Sequence, residues 1–563
     1  MGGEEWKMVL EPKRGRRRWW VAAILGEKEV VGRSLETGRG HDRVGGGRGK
    51  DGLLWCVPPK VGMESWRFLN WVWIRPRKLE KLLRKQGFKG NSYKFLFGDA
   101  REAAKLYEEA YSRPIGITDD VTPRAFPLAI KTIRTYGEKS FMWVGPIPVC
   151  FVMDLDAIKI ILNRFDAFQK SFKASNPIFK RLVGGLIVYE GEQWSRNRKK
   201  LNPAFHMEKL KEIVATMHTQ GTEVLDEWSS TIPKDGSPHI VDVYPYFKHF
   251  TGCVVSYALF SSTPTALVKR TFRIISELTH ISNQSQPFSI PGEQYLPIEK
   301  YKRANEIEDE LTATFSRMAE ERLAQRRAGE QKLEPDLFDL VVDEVEAVDI
   351  KNKRGRAAAM YELIQQCKLF YVAGHESTAN LIAWTTVMLA YHQDWQARIR
   401  EEVFRVLGDR NITGDDLASL KILTMFIHEV LRLYPPAIEL SRVVEEETTI
   451  GDVTFPKDAM IMMPIILLHR NPKIWGDDAL EFKPERFAEG VLKAANGHAA
   501  FVPFGWGLRT CIGANLSVIE AKVFTALFLR RFSFELAPTY AHTPTVAILL
   551  QPQHGIPLIL RKL

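Results

Sequence analysis

A cysteine bracketed by glycines offers the most specific chemistry in this chain. Phe504-Gly505-Trp506-Gly507-Leu508-Arg509-Thr510-Cys511-Ile512-Gly513 sets one thiol in a loop, with an arginine two positions before it. A helical pattern, Ala514 to Arg531, follows at once. A cysteine that is to ligate a metal as thiolate needs such a setting. Glycines let the backbone wrap round the sulfur. Amide N–H groups freed by the turn, and the N-terminus of the next helix, stabilise negative charge on it. The bland alternative is a small buried hydrophobe, the fate of most free cysteines.

Two further groups of residues carry possible chemistry. Met360 to Tyr391 is the longest helical pattern, about 45 Å at 1.5 Å per residue, and it is apolar nearly all round. Ala373-Gly374-His375-Glu376-Ser377-Thr378 sits in its middle. An acid, two hydroxyls and a glycine in a buried helix break local rules, and such violations tend to be functional. Glu429 and Arg432 stand three apart on another helical pattern, Leu423 to Tyr434, and so share a face.

These groups need a large scaffold to position them. The 563 residues could form several average domains or one large one. Hydrophobic residues make up 45% and charged residues 26%, which allows a sizeable core. The formal net charge of +10 favours anionic partners. No zinc-finger spacing or RNP-like aromatic motif is present, so no nucleic acid is expected. A membrane surface and an acidic redox partner fit better. The five cysteines, Cys56, Cys150, Cys253, Cys367 and Cys511, are far apart and form no C-x-x-C pair. Neither a disulfide framework nor a zinc site is expected, and a reducing, cytosol-facing environment fits.

Residues 1–62 are expected as a disordered extension ahead of one folded domain, 63–563. Gly and Arg abound there. The longest apolar run, Trp19 to Leu25, is far shorter than the roughly 20 residues that span a bilayer. It has no clean signal-peptide cleavage site either. Trp66 to Gly87 then sets Trp66, Phe68, Trp71 and Trp73 beside Arg75, Arg77, Lys78 and Lys81. Aromatics next to a basic helix suit a membrane interface, here residues 63–90; an ordinary amphipathic surface helix fits as well.

The chain beyond reads as mostly helix with a little strand. Leu128 to Tyr136 and Asp154 to Asn163 are expected as helices. Ser140 to Val144 and Pro148 to Met153 are expected as strands around Gly145-Pro146-Ile147. The charged stretch Arg326 to Arg356 is expected as a solvated loop around a short helix. Short strands are expected at Thr448 to Ile450, Val453 to Phe455 and Met460 to Pro464. In the tail, Val546 to Leu550 and Ile556 to Leu560 read as strand around Gly555.

The loop's spacing, F-x-x-G-x-R-x-C-x-G, resembles the haem-binding loop of cytochromes P450. Five residue types are fixed within ten positions, so the motif is specific. Other motifs stand in the family's order. Trp194-Ser195-Arg196-Asn197-Arg198 resembles its W-x-x-x-R helix, and Ala373 to Thr378 its oxygen-activating segment. Glu429 to Arg432 resembles its E-x-x-R, and Pro484 to Phe487 its P-E-R-F. The resemblance covers roughly residues 64–563. Stretches such as Trp71-Val72-Trp73-Ile74-Arg75-Pro76 and Leu431-Arg432-Leu433-Tyr434-Pro435-Pro436 are most similar to the plant microsomal clan that includes secologanin synthase and hormone-modifying hydroxylases.

The resemblance implies a mainly α fold with a small β region, and haem b between the long central helix and the cysteine loop. Cys511 would be the axial iron ligand, pushing electron density that favours O–O cleavage. Phe504 would pack beside the sulfur and limit water access. Gly513 would complete the cradle. Arg198, Arg442 and Arg509 would hold the haem propionates, with the Trp194 indole as a neutral donor. Glu429, Arg432 and Arg486 would form a buried structural triad. Glu376 and Ser377, with Thr378 beside them, would relay protons to the reacting oxygen. Gly374 would let the helix widen locally. Ser377 departs from the family, where threonine is normal.

The activity so implied is an O2- and NADPH-dependent monooxygenation of a terpenoid, a steroid-like hormone or a fatty acid. Electrons would come from a separate NADPH–cytochrome P450 reductase, since no G-x-G-x-x-G stands in a strand–helix context. Arg196, Lys199 and Lys200 could dock it. The expected location is the cytosolic face of the endoplasmic reticulum membrane. Two alternatives stay open at this level. One is a P450-fold isomerase or dehydratase, against which Glu376-Ser377 argues. The other is a non-catalytic haem-binding protein, against which the intact Cys511, Glu429, Arg432 and Arg486 argue.

Overall fold

The long central helix sets the architecture of the computed structural model, which describes residues 66–233, 239–261, 266–285, 288–329, 336–348 and 351–563. The extension expected over 1–62 lies outside the described residues. Residues 66–74 are helical, with a π turn over Asn70–Ile74, and run into α1, Arg75–Lys85. Then follow β1 (Lys89–Gly90), α2 (Ala100–Tyr111) and α3 (Pro127–Tyr136). The hairpin β2 (Ser140–Val144) and β3 (Ile147–Phe151) leads to α4 (Leu155–Asn163). The Asp154 carboxylate caps α4, accepting from Ala157 N at 2.8 Å. Next come β4 (Phe168–Lys170), α5 (Pro177–Leu182), α6 (Gly191–Leu201), α7 (Met207–Thr231), β5 (His239–Asp242) and α8 (Tyr244–Phe260).

The second half opens with α9 (Ala266–Asn283), α10 (Glu299–Arg327) and α11 (Leu337–Glu346). The central α12 spans Lys353–Tyr391, 39 residues or about 58 Å. It starts seven residues before the expected Met360. Asn352 caps it by accepting from Gly355 N at 2.9 Å, and Ala357-Ala358-Ala359 carry the helix into the apolar part. After it come α13 (Gln393–Leu407) and α14 (Lys421–Leu433), then β6 (Leu440–Val444), β7 (Thr448–Ile450), β8 (Val453–Phe455) and β9 (Met460–Met463). The cysteine loop feeds α15 (Ala514–Arg531), and β10 (Phe532–Leu536), β11 (Pro544–Ala547), β12 (Leu549–Pro552) and β13 (Pro557–Lys562) close the chain.

Trp228 of α7 locks the helical core around α12. Its ring lies 5.2 Å from Phe528 and 6.2 Å from Phe524 on α15, and 6.4 Å from Phe247 on α8. Aromatic contacts of this kind add to plain area burial. The main sheet has the order β1-β2-β3-β9-β6-β4. Its edge pair β4–β6 is antiparallel and places Lys170 directly opposite Arg442. The Ser171 and Ser441 hydroxyls bond across the same edge at 3.1 Å, though 270 positions separate them in the chain.

Three expectations need correction. The short helix expected within Arg326 to Arg356 is α11, but its charges are not simply solvated: Arg326 pairs with Asp339, Asp343 and Glu346 and ties α10 to α11. Asp336 closes a capping box on α11. Val546 to Leu550 is not one strand, because Ile548 turns the chain at φ +66° and β11 pairs back on β12. Nor does Gly555 join paired strands, since β13 pairs with β10 and β5.

Candidate active site

The cysteine loop is held shut by its own backbone. Cys511 N donates to Phe504 O at 2.8 Å, and a 3-10 turn covers Gly507–Arg509. Gly507 is forced twice over. Its φ is +69°, and a Cβ there would lie 2.5 Å from Asn163 Oδ1 on α4. Gly513 stands at the N-cap of α15, and its N–H favours the thiolate form of Cys511. Burial pushes the thiol up; that N–H, Arg198 and Lys170 act the other way. Phe504 is half-buried and packs against the main core.

Cations from four elements gather beside the loop: Arg198 and Lys170 act on the sulfur, and Arg442 and Arg509 act on Lys170. Arg198 of α6 donates to Thr510 O and to Asn202 Oδ1, both at 2.8 Å. Arg509 lies 4.4 Å over the Trp194 ring and pairs with Glu190. Arg442 is buried, and its one recorded hydrogen bond goes to its neighbour's carbonyl, Ser441 O. Lys170 was not singled out in the sequence. Burial first, then Arg442 and Arg509, bring its ammonium down to about 7. Like charges directly opposite on paired strands are destabilising. The Arg509 Nη1 atom is buried with no partner. Four cations with a single carboxylate, Glu190, among them form a cradle for a dianion. The two propionates of haem fit it.

The central helix presents its polar turn to the same region. Thr378 Oγ1 donates to Ser517 Oγ of α15 at 3.1 Å, and Ser517 N donates to Gly513 O at 2.9 Å. The segment is thereby tied to the cysteine loop through two hydrogen bonds. Ser377 Oγ donates to Ala373 O within the helix. Burial pushes the Glu376 carboxyl up, with Lys248 acting in the opposite sense. Buried His375 is held neutral, at about 4, and bonds Lys248 O at 2.9 Å.

Gly374 serves a different end from the one expected. The helix runs as regular α-helix through 373–378, with no local widening. A Cβ on Gly374 would lie 2.9 Å from Val255 Cγ2 on α8, so the glycine permits close helix packing. Gly374→Ala gains about 1 kcal/mol of helix propensity but overpacks a filled site at a cost of roughly 1–3 kcal/mol. A net loss of about 1 kcal/mol is expected in denaturant unfolding of the holoprotein. A gain in stability would show that Val255 gives way.

The brace beneath the loop is richer than its motif. Arg432 donates to both Glu429 oxygens at 2.7 Å, with both side chains fully buried. It also bonds the carbonyls of His469, Ala479 and Glu481. Arg486 is not an equal third member. Its Nε lies 3.8 Å from Glu429, whereas its Nη1 bonds Asp478 Oδ1 at 2.8 Å. His469, which sequence reasoning missed, joins the brace to the loop. Burial and Arg432 keep it neutral, so one ring nitrogen accepts from Val502 N at 3.0 Å while the other bonds Arg432 O at 3.2 Å.

The basic face of α6 is partly spent on internal pairs. Arg196 lies 3.6 Å from Glu362 and Lys200 3.3 Å from Glu344, which leaves Lys199 exposed.

A family model described as cytochrome P450 matches residues 128–558. Cytochrome P450 CYP72A219 of Panax ginseng is 42% identical over 511 residues, 90% of this chain and 98% of the ginseng protein. The 7-deoxyloganic acid hydroxylase of Catharanthus roseus is 42% identical over 502 residues, covering 88% of this chain and 96% of the relative. Secologanin synthase 2 of the same plant is 39% identical over 501 residues, 89% and 95% of the two chains. Among solved structures, the retinoic acid bound cyanobacterial CYP120A1 superposes with a TM-score of 0.65 at 23% identity, over 78% of this chain and 95% of that one. An identity that low shows the fold alone.

Proposed function

The chain belongs to the cytochrome P450 family and is a monooxygenase of small molecules with haem b as cofactor, and on that premise we propose that Cys511 is its axial ligand and that its substrate is hydrophobic. The observation that carries the assignment of Cys511 is the cluster of Lys170, Arg198, Arg442 and Arg509, of which Lys170 and Arg198 act on the thiol itself. Haem, when bound, supplies the iron that activates dioxygen. The four cations would hold its propionates, with Trp194 stacked against Arg509. The Gly513 N–H stabilises negative charge on the sulfur.

Glu376 and Ser377 move protons toward the reacting oxygen, and Thr378 fixes the turn that carries them. Ser377 lacks the β-methyl that stiffens a threonine rotamer. Electrons that miss the substrate leave as hydrogen peroxide. Ser377→Thr is therefore expected to lower hydrogen peroxide released per product; an unchanged ratio would sink this account of Ser377.

The substrate proposed is a terpenoid, a steroid-like hormone or a fatty acid, oxidised with NADPH and O2 through a separate reductase. The relatives include a 7-deoxyloganic acid hydroxylase and a secologanin synthase, which supports the terpenoid class. A spectral titration of the purified protein with terpenoids, sterols and fatty acids tests it. A reduced carbon monoxide spectrum taken first reports whether the thiolate is in place.

The proposed location is the cytosolic face of the endoplasmic reticulum membrane. No helix among the described residues is long and apolar enough to cross a bilayer. Trp66, Phe68, Leu69 and Ile74 are exposed, while Val72, Leu79 and Leu83 on the same helical stretch are buried. That division leaves an aromatic face beside basic residues for interfacial contact.

A further inference from the structure

Three elements meet around one carboxyl just before Arg442. Glu439 lies between Pro436 and β6. Leu550 N of the β11–β12 hairpin donates to Pro436 O at 2.9 Å. Helix α2 holds the same hairpin, since Val546 N donates to the Tyr111 hydroxyl at 3.0 Å. Tyr107 stands one turn before Tyr111, with ring centroids 5.5 Å apart. Arg124, at the base of this cluster, spends its guanidinium on the carbonyls of Pro544, Ala110 and Arg113.

Glu439 and Tyr107 are both half-buried, each keeping part of its surface accessible. Among the described residues, neither the Glu439 carboxyl nor the Tyr107 hydroxyl has a hydrogen-bond or ion-pair partner. Burial alone holds Glu439 up at about 7. Burial, then Tyr111 and Glu439, push the Tyr107 phenol up, so the carboxyl and the phenol are neighbours.

A structural glutamate in this protein looks different. Buried Glu402 accepts from Ile422 N at 2.8 Å and from Leu423 N at 3.0 Å, capping α14. Glu520 is unpaired but enclosed on every side by core helices. Glu439 alone of these three joins an unmet carboxyl to an open surface. A buried polar group without a partner is costly unless a ligand supplies one.

We propose that Glu439 and Tyr107 form a hydrogen-bonding subsite that reads one hydroxyl group on an otherwise apolar substrate. A hydroxyl both donates and accepts, and the carboxyl and phenol offer both roles. A carboxylate ligand would face the Glu439 charge. The assignment rests on the hydrophobic-substrate reading above and narrows it to alcohols on a terpenoid-like skeleton.

Spectral titration of the holoprotein with menthol, p-menthane and menthylamine tests it, because the three share one skeleton. The reduced carbon monoxide spectrum of each sample comes first. Menthol is expected to bind about tenfold more tightly than p-menthane, the worth of one well-made buried hydrogen bond. Glu439→Leu and Tyr107→Phe should bring the two near parity, while Glu439→Gln, which keeps a donor and an acceptor, should retain most of the difference. If Glu439→Leu fails to fold, Tyr107→Phe and Glu439→Gln still decide. Equal binding of menthol and p-menthane by the unaltered protein overturns the subsite but leaves the hydrophobic reading standing. Tighter binding of menthylamine overturns the choice of hydroxyl. No response to any of the three, with an intact thiolate spectrum, overturns both the subsite and the hydrophobic reading.

Discussion

Glu429→Ala is expected to yield protein without haem, not protein that turns over slowly. The change removes the only carboxylate bonded to Arg432 among the described residues, and the Arg432 side chain has no exposed surface. Breaking a buried pair by deleting one partner costs about 3–5 kcal/mol, against a total stability of roughly 5–15 kcal/mol for a typical protein. The loss also spreads along named bonds. Lys483 N loses its acceptor. Arg432 positions His469, and His469 accepts from Val502 N two residues before Phe504. The cysteine loop therefore loses its floor. The measurement is haem content of the purified protein by pyridine haemochrome, with circular dichroism to follow the fold. A variant that keeps its full haem would refute the role given to the brace.

The second large effect is expected from Cys511→Ser. The side chain is nearly isosteric, so the loop and its Phe504 bond should persist. A serine hydroxyl does not ionise near neutral pH, so no anionic sulfur donates to the metal. Turnover should fall on the order of a thousandfold or more, about 4 kcal/mol of barrier. Haem should be retained in part, because Lys170, Arg198, Arg442 and Arg509 are untouched. The reduced carbon monoxide spectrum should lose its thiolate form. Turnover within tenfold of the unaltered enzyme would remove Cys511 from the chemistry. The two variants thus separate holding the cofactor from tuning it.

How far the chain could be read in advance depended on the range of the forces involved. The cysteine loop was legible because φ-positive glycines and a helix start are local. The central helix was legible because its apolar, proline-free run is far too long for a strand, and its early start at Lys353 was lost only because charged residues occupy the first turn. The sheet order was not legible. β4 is three residues long and β6 five, and their paired residues lie 272 to 276 positions apart. For that reason Lys170 could not be told from any surface lysine. His469 was missed because its partners, Arg432 and Val502, lie 37 and 33 positions away, and Asp478 because its bonds to Lys483 and Arg486 follow no repeating pattern. Arg442 and Arg198 were named through the family likeness, and Gly374 was named for the wrong reason, because its close neighbour Val255 is on another helix.

The opposition of Lys170 and Arg442 across the sheet edge bears on how a cell accumulates this protein. β4 is made long before β6, and their pairing brings two positive groups face to face. Only a dianion seated between them turns that repulsion into attraction. Closure of this edge is then coupled to cofactor delivery, and polypeptide released into a haem-starved cytosol should leave the strand pair open. Hydrogen exchange on protein made with and without a haem precursor should show residues 168–170 and 440–444 protected only in the fed cells; equal protection would dissolve the coupling. Yield in a heterologous host would then track porphyrin synthesis more closely than transcription.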